Sequence, residues 1–119
     1  MNKILLIGRI VKDLEIKHLN DKKCLRNTIA VQRNFKNKEG IYESDFFNFI
    51  VWGNQAEYMK NYCKKGDKIA ITGRLLNDNY EKNGEKIYTN NIHVETIEIL
   101  WSNTNNEKQT KEEVVEFLD

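Results

Sequence analysis

The run DFFNFIVWGNQAEYMKNYCKKG, residues 45–66, constrains this chain more than any other stretch. It reads as a strand crowded with aromatics, a stop, and a short helix. A strand sends alternate side chains to opposite faces. Phe47, Phe49 and Val51 therefore share one face, and Phe46, Asn48, Ile50 and Trp52 share the other. A small domain buries only one such face well. The other must meet a partner subunit or a ligand with flat apolar surfaces, and nucleic-acid bases are such a ligand.

With 119 residues the chain is one domain with room for a tail. Charged residues make up 31%, as expected of a soluble protein, and the 39% that are apolar suffice for a modest core. The longest apolar run, Ile4–Ile7, is far too short to span a membrane. The start, MNKILLIGR, lacks the apolar length and the small-residue cleavage site of a signal peptide. Cys24 and Cys63 have no metal-ligand spacing, so reduced thiols in a cytoplasmic protein are expected. The net charge of +1 is unevenly distributed. Residues 107–119 hold five acids and two lysines, which leaves 17 basic and 13 acidic side chains in the body. The body is thus about +4 and the tail −3.

Along the chain, KILLIGRIV (3–11) reads as a buried strand with a bulge or bend at Gly8, and LEIKH (14–18) alternates and extends it. Asn20–Lys23 is a polar turn, and CLRNTIAVQR (24–33) is a second alternating strand. A polar loop over 34–42 leads to the aromatic strand at 43–52. Asn54 followed by Glu57 resembles a capping box, Ala56, Met59, Tyr62 and Cys63 form an apolar stripe, and Gly66 suits a helix stop. DKIAITGRL (67–75) is a fourth strand. Asn83-Gly84 is the strongest hairpin signal, and residues 87–101 form a long last strand. The expected fold is therefore all-β: a five-stranded Greek-key OB barrel with one short helix between strands 3 and 4 and a long hairpin between strands 4 and 5. The barrel domain is placed at 1–101, and a polar linker with an acidic-apolar tail at 102–119.

Four segments in order (NKILLIGRIVKDLE, TIAVQRNF, DFFNFIVWGNQAEYMKNYCKKGD and GRLLNDNYEKNG) resemble the bacterial single-stranded DNA-binding protein family, including its phage and plasmid members. The resemblance covers about residues 2–101. It implies a non-enzymatic OB protein that coats exposed strands in replication, repair and recombination, assembled as a homotetramer, with a dimer as runner-up. By family position the base-stacking aromatics are Phe35, Phe46, Trp52 and Tyr80. Leu14 stands where the family usually has proline, and Asn77, Asp78 and Asn79 stand where it often has basic residues. The tail ends in Glu-Phe-Leu-Asp rather than in acids followed by Pro-Phe.

Stacking on aromatics tolerates any base, at roughly 1–3 kcal/mol each. Isolated aromatics more often fill a core or interface, which is the role expected of Phe47 and Phe49. Phosphate contacts are expected from Lys3, Arg33, Lys36, Arg74, Lys82 and Lys86, with Arg9, Arg26 and Lys38 as further cations. His18 and His93 have no sequence neighbours that suggest a triad, and no glycine-rich phosphate loop, metal cluster or cofactor motif is present. The tail residues Glu112, Glu113, Glu116, Phe117 and Leu118 are either a solvating end or a motif for replication and repair partners, with VVEFL able to form a short helix. Two other readings stand beside single-stranded DNA binding: an OB module that binds proteins in a replication complex, and an RNA-binding OB protein.

Overall fold

A computed structural model describes residues 1–102. Its elements are β1 (Ile4–Ile10), β2 (Ile16–Leu19), β3 (Lys22–Lys36), β4 (Tyr42–Trp52), α1 (Asn54–Tyr62), β5 (Lys68–Asn77), β6 (Tyr80–Lys82), β7 (Glu85–Ile87) and β8 (Asn90–Trp101). The main sheet runs β1-β5-β8-β4-β3-β2, and a further β1–β3 pairing closes five of these strands into a barrel. This is the expected OB architecture. The helix lies between β4 and β5, the third and fourth barrel strands. No helix among the described residues is long and apolar enough to cross a membrane.

The core follows from strand periodicity. Leu25, Ile29, Phe49, Val51, Ile69, Ile71 and Ile92 point inward and are buried, and Ala56 and Met59 of α1 pack on the same cluster with Cys63 just after the helix. Cys24 and Cys63 are both free and buried.

Several local expectations differ from the structure. Residues 14–18 do not extend β1: the chain breaks after Ile10, buries Leu14, and returns as β2 against β3. The turn there is tighter than expected, with Asn20 and Asp21 both at positive φ and β3 already begun at Lys22. The expected last strand is two elements, β7 and β8.

At Gly8 there is no bulge. β1 pairs with β5 in unbroken register from Ile4 to Arg9. What Gly8 permits is the close approach of β3: a Cβ there would lie 2.2 Å from the Ala30 carbonyl oxygen. It sits at the seam that closes the barrel.

Asn54 is not the helix cap. Gly53 occupies that position at φ 65 and ψ −134, and no side chain among the described residues caps the helix. Such a backbone pair is open essentially to glycine alone. Glu57 instead pairs with Lys23 of β3. Gly66 is not the helix stop either, because α1 ends at Tyr62 with Cys63 extended. Gly66 lies at φ 93 in the following turn, where its N–H donates to the Ile10 carbonyl at 2.8 Å.

Candidate nucleic-acid interface

The register assembles one sheet face from four strands. Phe46, Asn48, Ile50 and Trp52 of β4 lie opposite Ala30, Thr28, Arg26 and Cys24 of β3. On the other side Ile50 pairs with His93 of β8, and His93 with Arg74 of β5. The face is not uniformly open. Ile50 and Cys24 are buried, Trp52 is half-buried, and Phe46 is 63% exposed. Burial along β4 depends on position as well as parity. Phe49, Ile50 and Val51 are all buried where the strand crosses the core. Upstream, the β3–β4 pair outruns the core as an arm, leaving Phe47 40% exposed, so of the two roles expected of it, core or interface, the core of this chain does not take it.

Phe35 lies on this β3–β4 arm, at the end of β3, and is 67% exposed. Tyr80 opens the second arm, the β6–β7 hairpin, and is 51% exposed. That hairpin turns at Asn83 and Gly84, with φ of 54 and 80. These are the left-handed values that an Asn-Gly turn supplies at low cost. Sheet face and arms thus present Phe46, Trp52, Phe35 and Tyr80 from three different strands.

The expected cations differ in availability. Arg33 faces two acids. Its Nη2 and Nε donate to Asp45 at 2.8 and 3.0 Å, and its Nη1 donates to Glu43 at 3.2 Å. The hydrogen bond from Arg33 holds the Asp45 carboxyl below its ordinary range. Lys3 pairs with Glu95 at 3.2 Å, and Lys36 lies over the Tyr42 ring at 5.6 Å. Arg74, Lys82 and Lys86 have no ion pair among the described residues. Arg9 lies over the Trp101 ring at 5.6 Å and donates to the Gly66 carbonyl, so it braces the barrel end. Glu112, Glu113, Glu116, Phe117 and Leu118 lie outside the described residues.

One feature was missed by sequence reasoning. His93 does have an acid partner: its Nε2 lies 2.9 Å from Asp78 Oδ2. The Trp52 Nε1–H donates to His93 Nδ1 at 3.3 Å. Asn91 Nδ2 donates to the same Asp78 oxygen at 2.8 Å. Burial pushes the Asp78 carboxyl up, but hydrogen bonds from Asn91 and His93 outweigh it, and the net direction is down. Extending the hairpin register back from Asn83-Gly84 sets Asn77 opposite Asn90 and Arg74 opposite His93. That counting was the available signal. No group of three or more potential metal-ligating side chains gathers among the described residues.

Comparison with known proteins gives a consistent answer. The family model for the single-strand binding protein family matches residues 1–100. "Single-stranded DNA-binding protein 1" of Streptococcus pyogenes serotype M18 is 42% identical over 102 residues, covering 84% of this chain and 78% of the relative. "Single-stranded DNA-binding protein 3" of Streptococcus agalactiae serotype V is 39% identical over 114 residues, covering 94% and 82%. The "Single-stranded DNA-binding protein" of Streptococcus mutans serotype c is 37% identical over 112 residues, covering 92% and 68%.

Proposed function

The chain belongs to the single-strand binding protein family, and from that premise we propose that it binds single-stranded DNA regardless of sequence and coats exposed strands in replication, repair and recombination. The observation that carries this reading is the sheet face that continues onto two arms. It offers Phe46, Trp52, Phe35 and Tyr80 to solvent, with Arg74, Lys82 and Lys86 unpaired among the described residues. Bases stack on the aromatics, and the cations neutralise phosphates and release counterions. Arg33, Lys36 and Lys3 contribute less directly, because each already has a partner in the folded chain.

The protein acts in the cytoplasm, on nucleoid DNA, as a homotetramer. Support for assembly comes from exposed apolar side chains beyond the four stacking candidates, among them Leu5, Ile7 and Phe47. One domain spans residues 1–101, and residues 102–119 recruit replication or repair proteins through Glu112, Glu113, Glu116, Phe117 and Leu118. The testing experiment is a titration of tryptophan fluorescence with poly-dT at two salt concentrations. Trp52 is quenched on binding, and Trp101, beneath the Arg9 guanidinium, responds less. A Trp52→Phe variant that keeps the whole wild-type quench would show that Trp52 does not stack.

A further inference from the structure

Among the described residues, Trp52 is the one stacking candidate whose ring has both a polar handle and a partner for it. An indole N–H only donates. His93 Nδ1, 3.3 Å from it, must therefore be the bare nitrogen of the imidazole. The proton then sits on Nε2 and is donated to Asp78 Oδ2 at 2.9 Å. Asp78 is itself held at three further points. Its carboxylate accepts from Asn91, its N–H donates to the Thr89 carbonyl at 2.9 Å, and its carbonyl accepts from Thr89 Oγ1 at 2.5 Å. The chain of bonds links the segment after β5 to β8 and then to β4.

On the premise that Trp52 stacks on bases, we infer that the Asp78–His93 pair is a positioning device that fixes the indole plane of Trp52 before DNA arrives. An aromatic on an open sheet face otherwise samples several rotamers, and a base that stacks on it must order the ring. A ring already fixed at its N–H escapes that cost. Asp78 thus has a role despite putting negative charge beside a DNA-binding face. It selects the His93 tautomer that can accept from Trp52. The charged groups around His93 are Asp78, Arg74 opposite it on β5, Arg26 beside Ile50 on β3, and Glu95 two residues on in β8, already paired with Lys3. A second proton on the imidazole leaves no acceptor, so acid releases the indole while the bond to Asp78 persists.

The test uses the full chain labelled with 15N, and an oligo-dT at fixed salt as the probe. Long-range imidazole correlations report the His93 tautomer, and a slowly exchanging indole N–H, assigned with Trp52→Phe, reports the Trp52 bond. The Nε2–H tautomer is expected, with indole protection lost as the imidazole becomes doubly protonated. His93→Leu should weaken oligo-dT binding roughly two- to tenfold, the range for ordering one side chain. His93→Gln, whose amide can accept from the indole and donate to Asp78, should recover affinity relative to His93→Leu and keep indole protection in acid. In a Trp52→Phe background, His93→Leu should add no further loss. The Nδ1–H tautomer, or a His93→Leu protein that binds like wild type while Trp52→Phe binds weakly, overturns the positioning role and leaves stacking intact. A Trp52→Phe protein with wild-type affinity overturns the stacking premise and the positioning role with it. The acid titration needs no variant and decides the case if His93→Leu does not fold.

Discussion

Among single residues, environment separates groups of the same chemical type. Arg33 and Arg74 are both exposed arginines on strands. Arg33 is held by Asp45 and Glu43, whereas Arg74 faces His93 across β5 and β8 with no ion pair among the described residues. The two thiols are buried and so behave as small apolar groups. Burial, with a smaller contribution from Asp67, pushes the Cys63 thiol up to about 12. The sign for stability follows. The unfolded chain loses this proton near its ordinary value while the folded chain keeps it, so folding is favoured less as pH rises from about 9 towards 12. We predict that Cys63 resists iodoacetamide in the native protein at pH 8. We also predict that the alkaline loss of stability between pH 9 and 12 is smaller in Cys63→Ala. Urea melts across that range check the second point, and equal slopes in both proteins would refute it.

Among elements, the barrel seam and the two arms set the behaviour. β1 closes the barrel between β5 and β3 at Gly8, where a Cβ would meet the Ala30 carbonyl oxygen at 2.2 Å and the Ile29 side chain at 2.9 Å. Gly8→Ala must displace backbone. The expected cost is about 1–3 kcal/mol, typical of overpacking, and a melting temperature lower by roughly 5–20 °C. Calorimetry checks it, and a melt within a degree of wild type would mean the seam has slack. The β6–β7 arm tests the DNA path. Asn77, Asp78 and Asn79 lead into it where basic residues would favour phosphate. Each added phosphate contact on a single strand changes the log–log salt slope by about −0.7. Arginine at both Asn77 and Asn79 should therefore steepen the slope by up to about 1.4 and tighten binding at low salt. Titrations at several salt concentrations measure both quantities, and no change in either would place the strand elsewhere.

For the whole molecule, charge and exposed apolar area make separable predictions. Residues 107–119 carry a net −3 beside a mildly basic body. An acidic end competes weakly with DNA for that body. Deleting residues 107–119 should leave low-salt DNA affinity equal or higher and the oligomeric mass unchanged, while binding of replication or repair partners is lost. Light scattering on the truncated chain, with a DNA titration, makes the measurement. A drop to monomer would show the deleted residues to be part of the folded assembly.

The sequence by itself determined the five barrel strands, the helix between β4 and β5, the Asn83-Gly84 turn and the shared face of Phe46 and Trp52. Each is a local property: strand parity, an apolar stripe at helical spacing, a dipeptide suited to positive φ. What only the tertiary structure decided was which distant groups meet. Trp52 finds His93 at a separation of 41 residues, and Lys23 finds Glu57 at 34. Arg33 finds its acids across the β3–β4 pair, and Gly8 finds Ala30 only because the barrel closes. Such contacts depend on how whole elements are brought together, by barrel closure, by the pairing of β4 with β8, by the helix packing on β3 and by the β3–β4 register, and no local pattern carries that placement. For the same reason Phe47 is exposed in this chain and Ile50 is buried: parity assigns a side chain to a face, but where the strand leaves the core decides whether that face is covered.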